Sequence, residues 1–233
     1  MHEILLPFKK LNEVITDALF PTECPICENL KESFGICENC RNALTLMHED
    51  IEEFELDVEG FKVKCASCFS YKNDAVKKLI LYLKKNDSKR LTAFVSAHMS
   101  AAAKRIIPAE NAIFTNIPRS RYGIIKHGFD QSENIARKTA EFFDNAHFFK
   151  LLKRKGFARQ QKNLTSSQRK SNIKGKIGVK KSSLNLQYDS IVLFDDVITT
   201  GSSARECLKQ LHLAFPEKQI YAVFLATQGK LKE

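Results

Sequence analysis

Residues 191–203 read Ile-Val-Leu-Phe-Asp-Asp-Val-Ile-Thr-Thr-Gly-Ser-Ser. Four apolar residues run into two adjacent carboxylates, and a hydroxyl-rich stretch with one glycine follows. A buried parallel strand ends in this way, and in open parallel sheets ligands bind beyond the carboxyl ends of the strands. Asp195 and Asp196 sit at such an end. Thr199, Thr200, Gly201, Ser202 and Ser203 then form the turn into a helix, where free backbone N–H groups and the helix dipole favour a phosphate and the hydroxyls add donors. Gly201 lets the backbone approach closely. Carboxylates accept hydrogen bonds from hydroxyls, so acids followed by an anion cradle suit a sugar phosphate. The triphosphate loop GxxxxGK does not occur.

The elements that must position this motif follow from periodicity. Phe61, Val63, Cys65, Phe69 and Tyr71 share one phase of a two-residue alternation, which predicts a strand. Asp74 is expected to cap a helix with Val76, Leu79, Ile80 and Leu83 inward, and Ser88 or Asn86-Asp87 to begin another with Leu91, Phe94, Val95 and Ala102 inward. Residues 112–117 read as a buried strand closed by Pro118. A helix over 131–143, the strand at 191–196, a helix over 202–215 and a strand over 220–227 complete the series. Strands alternating with helices imply an α/β fold with a parallel sheet covered on both faces.

Four cysteines fall as Cys24-Pro-Ile-Cys27 and Cys37-Glu-Asn-Cys40. Two such knuckles each offer two thiolates to one tetrahedral Zn²⁺, and a closed set of four leaves no open catalytic position. Cys65 and Cys68 repeat the spacing, but on a strand they point to opposite faces, unfit for one metal. Cys207 reads as a small packed side chain.

Charge divides the chain. Residues 1–60 carry four basic and 14 acidic side chains, whereas residues 61–233 carry 33 and 13. The expected division is an N-terminal helix and four-cysteine zinc finger over 1–60 and a basic α/β domain over 61–233, suited to phosphate-rich partners. Residues 150–181 contain 12 Lys or Arg and no acid, with the composition of a flexible loop. Lys153, Arg154, Lys155, Arg159, Lys162 and Arg169 are its nucleic-acid candidates, with Phe129 and Phe157 the aromatics nearest basic residues. At the N-terminus, Ile4, Phe8, Leu11, Ile15, Ala18 and Leu19 recur at helical spacing, without the pattern of an export signal. No run of 18 apolar residues occurs. The expectation is a cytoplasmic protein without a membrane span.

The 191–203 motif resembles the ribose-phosphate signature of type I phosphoribosyltransferases. A four-cysteine unit just after Leu19-Phe20-Pro21 is similar to the ComF family of competence proteins. So are Ile117-Pro118…His127-Gly128-Phe129-Asp130-Gln131 and Arg159-Gln160-Gln161-Lys162-Asn163-Leu164…Arg169…Asn172. The family usually has Arg and Asn where this chain has His127 and Asp130, and many members carry a second pair of knuckles. The resemblance implies a phosphoribosyltransferase-like parallel sheet flanked by helices, behind a small N-terminal zinc-finger domain with four cysteine ligands. It implies binding of 5-phosphoribosyl 1-diphosphate (PRPP) with Mg²⁺, the sugar on Asp195 and Asp196 and its 5′-phosphate on Thr199, Thr200, Gly201, Ser202 and Ser203. Arg119, Arg121 and Lys126 lie where a diphosphate loop is expected. Two functions follow. One is a PRPP-binding protein of natural competence that handles imported single-stranded DNA beside other competence proteins. The other is an active phosphoribosyltransferase with a nucleobase or amide-nitrogen acceptor. A site kept only as a fold element is the third reading. His98, His127 and His147 are candidate bases, and the sequence names no acceptor.

Overall fold

The computed structural model describes residues 23–29, 35–47, 51–108, 111–155, 175–180 and 188–229. The helix expected near the N-terminus, Phe157, Arg159, Lys162, Arg169 and most of the basic stretch lie outside the described residues. In chain order the elements are α1 (Glu38–Met47), β1 (Glu52–Val58), β2 (Phe61–Ser70), α2 (Asp74–Lys85), α3 (Lys89–Ile106), β3 (Ala112–Asn116), α4 (Arg121–His127), α5 (Gln131–Ala140), β4 (Ala146–Phe148), β5 (Leu152–Arg154), β6 (Ile177–Val179), β7 (Ser190–Ile198), α6 (Ser202–Ala214) and β8 (Gln219–Thr227).

Six strands form one mixed, mostly parallel sheet in the order β1-β2-β8-β7-β3-β4, and β5 and β6 form a separate antiparallel pair. Only the β1–β2 pairing within the large sheet is antiparallel. The central strands are apolar because both faces are covered: β3 is buried along its length, and β7 from Ser190 to Phe194. On one face α2, α3 and α5 supply Val76, Leu79, Ile80, Leu83, Val95, Met99, Ile135 and Ala136. On the other, Ala204, Cys207, Leu208 and Leu211 of α6 pack with Leu56, Val63, Ile191, Leu193 and Phe224. At about 1.5–3 kcal/mol per buried aliphatic side chain, each apolar face outweighs the roughly 1 kcal/mol of a helix cap.

Several local readings shift. Asn73, not Asp74, caps α2: its Oδ1 accepts from the N–H of Ala75 at 2.9 Å and of Val76 at 3.3 Å. Asp74 is instead the first helical residue, where its carboxylate suits the positive end of the dipole. Ser88 caps α3, accepting from Leu91 N–H. Cys65 joins the core on one face of the sheet and Cys68 the core on the other, as the strand alternation requires. Burial pushes both thiols up, Cys65 to about 12.

The acid-rich segment Glu52–Val58 is a sheet strand that charge bookkeeping did not reveal. Leu56 and Val58 face the core, while Glu55 and Glu53 pair with Lys62 and Lys64 of β2 at 3.1 and 3.6 Å. The turn joining β1 to β2 is Glu59-Gly60, both at positive φ (53° and 96°), the geometry that matches strand twist in a two-residue hairpin. The boundary expected at residue 60 falls inside this turn, so β1 is hydrogen-bonded to the sheet that the later residues build.

The topology fixes where a ligand can sit. From β3 the chain moves outward to β4; from β7 it moves the other way, through α6, to β8. The carboxyl ends of neighbouring β3 and β7 therefore flank a switch point, where the two following connections diverge and leave a crevice.

Candidate functional site

That crevice is a cavity of about 550 Å³. Its walls come from the β3–α4 loop, the start of α5, the end of β7, the 199–203 turn and the last turn of α2. All seven residues of the acid pair and turn line it: Asp195, Asp196, Thr199, Thr200, Gly201, Ser202 and Ser203.

The acids are the last polar residues of β7 and differ in surroundings. Ser132 Oγ–H donates to Asp195 Oδ1 at 2.8 Å. Lys84 Nζ pairs with Asp196 Oδ2 at 3.1 Å, and the Val197 N–H donates to Asp196 Oδ1 at 2.6 Å. Burial, reinforced by the neighbouring Asp196 charge, pushes Asp195 up to about 7; Ser132 and Lys84 pull the other way. Burial lowers the Lys84 ammonium, but the Asp196 and Asp195 charges outweigh it, and the net shift is upward. One ammonium thus serves two carboxylates.

The 199–203 turn leads into a helix start without a side-chain cap, and the Ser202 N–H is directed at Thr200 Oγ1 at 3.5 Å. Gly201, at φ 71°, precedes α6 with no side chain capping the helix. The Thr200 and Ser202 hydroxyls lie 2.9 Å apart. Behind the turn, Arg205 donates through Nη1 to Thr200 O at 2.8 Å and through Nε to Asp57 O at 3.1 Å, which ties the loop to the end of β1. A Cβ on Gly201 would lie 2.9 Å from Arg205 Nη1. Gly201→Val is therefore expected to lower affinity for any 5-phosphate ligand by roughly tenfold or more, through a strained φ and a displaced arginine. Calorimetric titration of the variant with ribose 5-phosphate checks this, and undiminished binding would refute the cradle.

The opposite wall holds Pro118, Arg119, Ser120, Tyr122, Gly123, Lys126 and His127. Of the three diphosphate-loop candidates, Arg119 and Lys126 reach the cavity, and Arg121 is not among its lining residues. Arg119 also acts as a brace: Nη1 donates to Phe129 O at 3.1 Å and Nη2 to Lys84 O at 3.0 Å, and its guanidinium lies 5.7 Å from the Phe129 ring. Asp130 orders the same wall, accepting from the Arg119 N–H at 2.9 Å and capping α5 through the Glu133 N–H. Burial raises the Asp130 carboxyl, with those two N–H groups opposing.

Among the candidate bases, His127 lines the cavity, whereas His98 packs between the Phe69 and Phe94 rings, and His147 lies on β4 outside the lining. Desolvation and the charges of Arg119, Lys126 and Lys85 draw His127 down, which favours the neutral imidazole. Arg154, read from sequence as a nucleic-acid residue, lines the cavity and donates through Nε to Pro118 O at 2.8 Å. Lys153 and Lys155 are its neighbours on and after β5 and are not part of the lining. Sequence reasoning missed Lys84 and Ser132, since no local spacing marks a residue whose partner arrives from a distant strand, and it gave no role to Gln131, which lines the cavity.

Outside the crevice, the Sγ atoms of Cys24, Cys27, Cys37 and Cys40 all lie within 4.8 Å of one another, with Cys27 and Cys37 at 3.6 Å. Four sulfurs about 2.3 Å from a common centre stand at this spacing, so the donor set fits a structural Zn²⁺. Among the described residues this is the only group of three or more His, Cys, Asp or Glu drawn together in this way.

Residues 15–51 match the double zinc ribbon domain family. Across 217 residues the chain is 23% identical to "Competence protein F" of Haemophilus influenzae (strain ATCC 51907 / DSM 11121 / KW20 / Rd), covering 86% of this chain and 89% of that protein. The chain is similar to a competence protein. Two solved structures match it at 13% identity. The Helicobacter pylori xanthine-guanine-hypoxanthine phosphoribosyltransferase superposes with TM-score 0.34, over 63% of this chain and 78% of that one. The adenine phosphoribosyltransferase of Leishmania tarentolae superposes with TM-score 0.37, over 78% and 97%. The chain joins a cysteine ribbon to a mostly parallel α/β sheet whose switch-point crevice carries an acid pair and an uncapped helix start. No helix among the described residues is long and apolar enough to cross a membrane.

Proposed function

We propose that the crevice binds PRPP, with the ribose hydroxyls on Asp195 and Asp196 and the 5′-phosphate on Thr199–Ser203. The observation that carries this reading is the convergence, in one cavity, of the acid pair with the uncapped helix start at the 199–203 turn. Arg119, Lys126 and Arg154 supply positive charge on the facing wall, where a diphosphate would lie. Mg²⁺ suits this ligand because it holds phosphate oxygens, waters and one or two carboxylates rather than an all-protein cage. Lys84 already neutralises Asp196, so the acid pair leaves the ion's remaining positions to the diphosphate. Titration with PRPP and Mg²⁺ tests the reading, and an absence of binding in the low-millimolar range or below would sink it.

The biological reading joins the relative's name, a competence protein, to what the family resemblance implies: a protein that handles imported single-stranded DNA in the cytoplasm, beside other proteins of the uptake machinery. The excess of basic residues after position 60 supports it, as does Tyr122, an exposed aromatic beside Lys126 at the cavity mouth. Single-stranded DNA is expected to bind the full-length chain with an affinity that falls steeply with salt, because each neutralised phosphate releases a counterion. Binding that is flat with salt, or missing at low salt, would count against it. An active transferase is the second reading, favoured by His127, a neutral imidazole at the cavity wall. Diphosphate release on adding nucleobases or amides to protein, PRPP and Mg²⁺ decides between them.

A further inference from the structure

Among the described residues, four carry buried side-chain polar atoms with no hydrogen-bond partner: Asn116, Gln131, Tyr188 and Ser190. Gln131 stands apart. Both atoms of its carboxamide, Nε2 and Oε1, lack partners, and it alone of the four lines the cavity. The residue is only 4% exposed. A buried amide with neither end satisfied carries a desolvation penalty that folded proteins avoid unless water or a ligand completes the hydrogen bonds, and a residue lining the cavity is where a ligand can do so.

Its position says what that ligand offers. Gln131 opens α5 and precedes Ser132, whose hydroxyl donates to Asp195 Oδ1 at 2.8 Å. Asp130, just before it, is held by the Arg119 and Glu133 N–H groups. Gln131, Ser132 and Asp195 all line the same crevice. A carboxylate only accepts, whereas a carboxamide both donates and accepts, and so does a hydroxyl. Two neighbouring ring hydroxyls present more than an acid pair alone can satisfy.

Resting on the reading of the crevice as a ribose-phosphate site, we propose that Gln131 selects ribose over 2-deoxyribose by hydrogen-bonding the sugar's 2-hydroxyl. A site built to pair with a substrate hydroxyl discriminates strongly against the analogue lacking it, because its own polar group then stays buried and unpaired. A ligand without the 2-hydroxyl leaves the Gln131 amide as it stands in the free protein.

The test uses the full-length chain and its Gln131→Met variant, which keeps an unbranched side chain of similar length without polar atoms. Ribose 5-phosphate, 2-deoxyribose 5-phosphate and PRPP with Mg²⁺ are titrated calorimetrically, and the ligand-free proteins are melted. The wild type is expected to prefer ribose 5-phosphate by roughly tenfold or more, and Gln131→Met to remove about tenfold of that preference, all on the ribose side. Ligand-free Gln131→Met is expected to melt higher by about 2–4 °C, because an unsatisfied buried amide is gone. A structural glutamine would produce the opposite shift in melting. An unchanged preference, an equal loss for both sugars, or a lower melting temperature overturns the assignment of Gln131 while leaving the PRPP site intact. A wild type that binds neither PRPP nor ribose 5-phosphate overturns the ribose-phosphate reading, and this inference with it.

Discussion

Asp196→Asn is expected to weaken PRPP binding by about 100-fold, and Asp195→Asn to shrink a pH dependence that the wild type displays to the share of the ligand's own phosphates. Asp196 is the direct partner of Lys84 at 3.1 Å, and removing its charge leaves the ammonium without that partner while relieving the repulsion that raises Asp195. A hydrogen bond to a charged group contributes about 1.5–3 kcal/mol, and the unpaired cation adds its own penalty. Adding Lys84→Met to Asp196→Asn should restore stability relative to the single variant but not restore binding. That coupling, of roughly 1–3 kcal/mol in denaturant melts, marks a true pair.

Asp195 behaves differently because it titrates at about 7 in the folded chain against an ordinary value of 3.8. Its carboxylate accepts sugar hydroxyls only when ionised, so affinity for PRPP should climb as pH rises from 6 to 8. The ligand's phosphates also titrate near pH 6, and the rise that survives in Asp195→Asn measures their share. Stability runs the other way. Between about pH 4 and pH 7 the folded chain holds a proton that the unfolded chain has released, so stability falls as pH rises through this window and levels off above it. The cost is on the order of a few kcal/mol, and Asp195→Asn should remove it. Melting temperatures that track pH identically in wild type and Asp195→Asn would refute this assignment.

The two acids were legible in sequence, and their inequality was not. A strand buried on both faces must be written as a run of apolar residues, so polar residues at its end announce the sheet edge where ligands bind. Ser132 and Lys84, which set the acids apart, come from α5 and α2, and only the fold brings them to β7. Lys84 and Lys85 are indistinguishable by local spacing at the end of α2, yet only Lys84 lines the cavity. Arg119 was legible as a cation after a strand, whereas its bonds to two backbone carbonyls depend on where α2 ends and α5 begins. Strand β1 was hidden for another reason. Its glutamates dominate the charge sum, while Phe54, Leu56 and Val58 alternate quietly between them and meet the core beneath α6. An edge strand needs only one buried face, so its outer face is free to carry the charge that masked it.

Removing zinc is expected to have the largest effect on stability. Among the described residues of the four-cysteine unit, Cys24, Ile26, Ile36 and Leu44 are buried, and they share a core with α2 and α3. Lys78 of α2 ties the unit further, donating to Ile26 O at 3.0 Å and to Glu28 Oε1 at 3.2 Å. Metal binding at a structural site of this kind is worth about 10–16 kcal/mol in small zinc units, far more than those contacts supply. Chelation, or Cys37→Ser, should therefore unfold the ribbon, expose apolar side chains of α2 and α3 to a hydrophobic dye, and lower the melting temperature by about 10 °C or more. At 2–4 °C per kcal/mol for a chain of this size, such a shift needs only part of that metal-binding energy to reach the sheet domain. PRPP affinity should change by less than about threefold. Val76, Leu79, Ile80 and Leu83 still hold α2, and with it Lys84, against the sheet. The two readouts separate the ribbon's roles. A ribbon that serves only folding loses stability and spares the site, whereas loss of PRPP binding in step with zinc would mean that the ribbon positions Lys84. Purified protein that carries less than one zinc per chain and melts unchanged in chelator would remove the metal from the account altogether.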